Sequence, residues 1–151
     1  MTKINTGRAL LGGIVAAAII DLIEGVMNGV VLKNDWAAAM QALGRPTEVT
    51  GTAIAIYNCG GLLDGIIGVW LACALISRYG RSSITAAKAG LVVWALASAI
   101  PNLMLAPSGL IPGRLMATAV VVDFIAMILG IMMGARLYRE EQSPVPQAAR
   151  A

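Results

Sequence analysis

The stretch IIDLIEGVMNG, Ile19 to Gly29, sets two carboxylates and an amide inside an apolar run long enough to cross a membrane. A carboxylate at the centre of a spanning helix disfavours insertion by roughly 2.5–3.5 kcal/mol, so it faces protein, water or an ion rather than lipid. On a helix turning about 100° per residue, Asp21, Glu24 and Asn28 project within about 60° of one another, and Gly25 and Gly29 occupy the adjoining strip. A polar stripe and a close-packing stripe therefore share one side of the first span.

Three more apolar runs follow outward from this one. With spans at about 9–32, 52–76, 84–105 and 115–138, each near the roughly 20 residues that a bilayer core requires, the 151-residue chain is almost fully used. Its composition agrees: 58% hydrophobic and 13% charged, with a mean hydropathy of +0.80, which is membrane usage rather than soluble usage. The expected fold is all-α, an integral membrane four-helix bundle forming one domain over residues 1–138, with a polar tail, 139–151, expected to be disordered. Lys3 and Arg8 precede the first run as in a signal peptide, but the run exceeds the 7–15 or so residues of a signal core and reads as a retained helix.

Each remaining span carries its own polar group. The link from Lys33 to Gly51 holds a short helix, capped by Asn34 or Asp35 and stopped by Gly44 and Pro46, with Trp36, Met40 and Leu43 on one face. It is expected to lie in the membrane interface, with Trp36 as an anchor. The second span, IYNCGGLLDGIIGVW in its middle, puts Asn58, Gly61, Gly65 and Gly68 on one side, with Asp64 at the margin. In the third, Ser98 and Asn102 share a face beside Pro101, which removes a helix hydrogen bond and favours a kink. In the fourth, Met127, Gly130 and Gly134 fall within about 40° of Asp123. Gly25, Gly29, Gly61, Gly65, Gly130 and Gly134 are thus the expected helix-packing glycines.

Charge placement predicts orientation. Lys3, Arg8, Arg78, Arg81, Lys88, Arg136, Arg139 and Arg150 make eight on the side of the termini, against three, Lys33, Arg45 and Arg114, on the other. By the positive-inside bias both termini are expected to be cytoplasmic, with the chain in a plasma membrane. The net charge of +3 sits at helix ends, where headgroups lie, so no nucleic acid is expected as a partner. Cys59 and Cys73 are separated by about 21 Å of helical rise and cannot bridge within the chain. The chain has no His, which excludes imidazole ligation of haem or zinc and any His-based triad within it. No cofactor is expected.

Asp21, Glu24, Asp64 and Asp123 are half of the eight acidic residues, and no basic residue falls in the central part of any span. Clustered and ionised they would repel, so the pattern requires protonation, intervening water or a bound cation. With Asn28, Asn58 and Asn102 they form the candidate polar site for a proton, a hard cation or a small polar ligand, the metal itself being unassigned. The competing reading is helix glue, worth about 0.6 kcal/mol per interhelical hydrogen bond. A scaffold role follows from the same glycine faces, which suit a homo-oligomer or a larger membrane partner. No catalytic residues are assigned, and action on lipid ranks third. GLLDG departs from the intramembrane aspartyl protease pattern, because Leu63 replaces the glycine before the aspartate and no tyrosine precedes Asp21 or Asp123.

The runs GGIVAAAIIDLIEGVMNGVVL, WAAAMQALG and VVWALASAIPN, with a fourth span ending GARLY, resemble a group of small uncharacterised bacterial membrane proteins of four helices, of the domain-of-unknown-function type. The resemblance covers about residues 7–140 and implies the fold but no activity. Small multidrug exporters share four spans and a glutamate in the first but are shorter and lack the other three acids, small fluoride channels share the size and an inner asparagine but have a weak charge bias, and neither pattern is met.

Overall fold

The computed structural model describes residues 4–138. The disordered tail expected at 139–151 lies outside the described residues, as do residues 1–3. Five helices form, and among the described residues there is no strand. Four are long and apolar enough to cross a membrane: α1, Thr6–Val31; α3, Gly51–Tyr79; α4, Ser83–Ser108; and α5, Gly113–Arg136. Between the first two lies the short α2, Lys33–Ala42.

Local chemistry sets the starts and stops. Asn5, Thr50 and Ser82 each accept a backbone N–H from three residues on, at 3.1, 3.2 and 3.0 Å, and so satisfy a donor that the first turn leaves open. Gly80 and Gly44, at φ +83° and +64°, turn the chain at the ends of α3 and α2, in a region an L side chain adopts only with strain. Neither Asn34 nor Asp35 caps α2. The chain runs into it directly from a wide turn, Met27–Val31, in which Leu32 N–H reaches back five residues to Met27 O at 2.7 Å. Trp36 N–H then bonds Leu32 O at 3.0 Å, so the backbone itself begins the helix and no side-chain cap is used.

A second wide turn, Ala95–Ala99, interrupts α4 just before Pro101. Proline has no N–H to offer the preceding turn, and such expanded turns absorb the misfit. Ser98 O is taken by the Asn102 side-chain amide at 2.9 Å. A widened turn thus stands directly before the proline at which the sequence favours a kink.

The spanning helices meet through glycine. A methyl built on Gly13 would lie 2.7 Å from Ile66 Cα, one on Gly65 2.6 Å from Ala17 N, one on Gly130 2.8 Å from Ala16 O, and one on Gly90 3.1 Å from Ile128 Cα. Gly12 and Gly134 face each other's carbonyl oxygens. These pairings run antiparallel between α1 and α3, α1 and α5, and α4 and α5, so backbones approach where side chains would hold them apart. Around them sits the apolar core: Ala9, Ala16 and Ile20 of α1, Val69, Ala72 and Cys73 of α3, Ala86, Ala89 and Val93 of α4, and Ala126, Met127, Ile131 and Ala135 of α5. All of it lies toward one end of the helices.

Toward the other end the helices part. Val30, Val31, Ile54, Ile56, Tyr57, Leu103 and Met104 are exposed, and a small cluster of Leu32, Ala39 and Leu115, flanked by Trp36 and Ile111, ties α1, α2 and the start of α5 together. Gly25 and Gly29 are exposed, with nothing within 4 Å of a methyl placed there. Gly25 and Gly29 thus meet no neighbouring helix among the described residues, since they lie on an exposed side of α1. Gly61, Gly65, Gly130 and Gly134 are buried as expected, and Gly12, Gly13, Gly68 and Gly90 join them.

Candidate functional site

Where the packed end gives way to the open end, three helices bring four carboxylates together. Asp21 follows Ile20, which packs on Gly130, and Asp64 precedes Gly65, which packs on Ala17. The acids thus occupy the layer directly beyond the last glycine contacts. The Asp21 carboxylate fills the space that the missing side chain of Gly61 leaves on α3. Glycine here does more than admit a backbone, since it admits a charge-bearing group between two helices.

All four carboxylates are half-buried, and they act on one another electrostatically: Glu24 with Asp123, Asp64 and Asp21, and Asp64 with Asp123 and Asp21. Among the described residues no basic side chain is paired with these acids, and one of them has a polar side-chain partner on another helix. Ser98 Oγ donates to Asp123 Oδ2 at 2.6 Å, a short charge-assisted geometry that joins α4 to α5. Ser98 is itself held at the wide turn of α4, where Asn102 caps its carbonyl. Trp94 closes the same interface, donating from Nε1 to Val120 O at 2.9 Å and meeting Phe124 edge to face, with ring centres 5.1 Å apart.

The amides divide differently from the sequence expectation. Asn28 is half-buried and its Oδ1 accepts from Trp36 Nε1 at 3.0 Å, so it braces α2 against the end of α1. Asn102 serves its own helix. Asn58 is exposed on the open half of α3, two turns from Asp64. Among the described residues no three Asp, Glu, His or Cys side chains are grouped closely enough to hold a metal ion. The four acids are neighbours in one layer and do not form a chelate among the described residues.

Two contributors were hidden in the sequence. Gly12 and Gly13 lie in an apolar stretch without any polar marker, and the signal that finds them is the small-residue pattern Gly12, Gly13, Ala16, Ala17. The other is the pairing of Ser98, a residue already marked by its place beside Pro101, with Asp123, 25 positions away, which can be found only from the pairing of α4 with α5.

Four apolar spans with a polar layer between them place the chain in the class of multi-span helical membrane proteins. Neither a family model, nor a curated protein, nor a solved structure matches it.

Proposed function

We propose that this is a small multi-span protein of a bacterial inner membrane, a four-helix bundle whose interior acids bind or pass a proton, a cation or a small polar ligand. The observation that carries this reading is the meeting of Asp21, Glu24, Asp64 and Asp123, half-buried and within one another's field, at the level where the helices part. Four acids held together without a cationic side chain are costly in hydrocarbon, and water, protons or a cation relieve that cost. On this reading α2 lies in the interface with Trp36 as its anchor, and the eight-to-three bias of Lys and Arg puts both termini in the cytoplasm.

Flux in proteoliposomes across a panel of ions, with and without a pH gradient, tests the reading. Wild type is expected to pass one of them and Asp64→Asn to lose most of that flux, whereas silence across the panel in wild type sinks it. Orientation is tested by cysteines introduced at Ser83 and Thr47, the first expected to label from the cytoplasmic side and the second from outside. Equal labelling from both faces would mean dual topology.

A scaffold reading keeps one specific support. The first half of α3 exposes Ile54, Ile56, Tyr57 and Asn58, a surface suited to a larger membrane partner or a second copy. In that case the acids glue helices, Asp64→Asn leaves flux at background, and substitution of Tyr57 and Asn58 disrupts a membrane complex.

A further inference from the structure

At the glycine-packed end, α3 stops at Gly80 and the chain turns through Arg81 and Ser82 into α4. Between this turn and the end of α5 is a cavity of about 370 Å³, lined by Ile76, Ser77, Gly80, Arg81 and Tyr138. Arg81 reaches across it, donating from Nη2 to Arg136 O at 2.8 Å. That bond anchors the guanidinium in the wall of the cavity and engages one of its five N–H donors. Arg78 stands one turn back on α3, 5.9 Å over the Tyr79 ring, and Arg136 closes α5, bonded to Met133 sulfur at 3.4 Å. Among the described residues the partners of these three cations are a carbonyl oxygen, a ring and a thioether, and none is an anion.

Arg81 lines the cavity, Arg78 and Arg136 stand on the adjoining helix ends, and among the described residues none of the three is paired with an anion; a forked guanidinium matches the oxygens of a phosphate better than any other side chain does. Their position is also informative, because they sit at the ends of helices long enough to cross a bilayer, the height at which lipid phosphates lie. Ile76 is buried and gives the cavity an apolar inner wall below its charged rim. We propose that this cavity is a phosphate-ester site at the membrane surface, with Arg81 as the fork that grips the anion and Arg78 and Arg136 as its surrounding field. It is separate from the acidic layer, and the two can fail independently.

Native mass spectrometry of the full chain in detergent tests it with three probes: phosphatidylglycerol, phosphatidylcholine and glycerol 1-phosphate. An anionic probe is expected to be retained over phosphatidylcholine, and retention of the lipid or of the soluble ester tells which source supplies the phosphate. Arg81→Gln should weaken retention about fivefold, the effect of one interfacial cation. Ser77→Phe, which fills the cavity and keeps every cation, should do the same, and Arg45→Gln at the opposite end should do nothing. A thermal transition for each variant shows that it is folded, and Ser77→Phe decides the matter if Arg81→Gln is not. Equal retention of the two lipids without binding of the soluble ester overturns the site, and so does a loss in Arg45→Gln as large as in Arg81→Gln.

Discussion

The two ends of the spanning helices use the same residue types to opposite effect. At one end Gly12, Gly13, Gly65, Gly130 and Gly134 sit under neighbouring backbone, and at the other Gly25 and Gly29 face open space. Polar residues divide in the same way: Ser98 is buried against Asp123, while Asn58 is exposed. A glycine in a spanning helix therefore has no fixed meaning. What it does depends on whether a second helix is present at that height, and the acidic layer marks the height at which the answer changes.

The sharpest way to break this comparison is a matched pair of substitutions. Gly65→Leu drives a side chain into the Ala17 backbone, where even a methyl would lie 2.6 Å from the amide nitrogen, and overpacking against backbone should cost about 3 kcal/mol or more. Gly25→Leu meets nothing within 4 Å and should stay within about 0.5 kcal/mol of wild type. Thermal unfolding in detergent measures both. Equal losses would mean that the open end closes on a partner or on itself, and the distinction between the ends would fall.

The four apolar helices and their order were legible because some 20 apolar residues per span is a signal large enough to show in one sequence. Helix pairing was not legible in the same way. Gly25 and Gly29 were assigned to packing because they flank Glu24 and Asn28, on the assumption that the side of a helix that avoids lipid is packed along its whole length. Here the glycine contacts of α1 end at Gly13, and Gly25 and Gly29 lie on an exposed side of the same helix. Gly12 and Gly13 were missed for the converse reason, since nothing polar beside them advertises an inside face. The start of α2 eluded the capping rules because those rules presume a loop before a helix, and here a wide turn of α1 feeds it directly.

A smaller effect is expected where the acidic layer is tied to α4. Ser98→Ala removes the 2.6 Å bond to Asp123 Oδ2 and leaves a half-buried carboxylate with one donor fewer. Interhelical hydrogen bonds in membranes average about 0.6 kcal/mol and reach about 1.7, and this one, to a charge-bearing group, should fall near the upper value. Ser98→Thr keeps the hydroxyl and should recover most of the loss. If Ala and Thr behave alike in thermal unfolding, the change is one of packing at the wide turn and the bond holds nothing together.

The smallest effect belongs to the brace at the open end. Trp36 Nε1 bonds Asn28 Oδ1 at 3.0 Å across the wide turn that joins α1 to α2. Trp36→Phe keeps an aromatic ring beside Leu32, Ala39 and Leu115 and deletes the donor. The bond is part-buried rather than sealed, so water can replace it, and the loss should be about 0.6 kcal/mol. A global unfolding measurement alone would hardly separate that from zero. The decisive form is a double-mutant cycle with Asn28→Ala, read by hydrogen exchange at the amides of Met27–Val31, where each single change should raise exchange and the pair should raise it no further than the larger of the two. Additive effects would show that Trp36 and Asn28 act separately. The open end would then have no brace of its own, and the position of α2 would rest on its contacts with Leu115 and Ile111 alone.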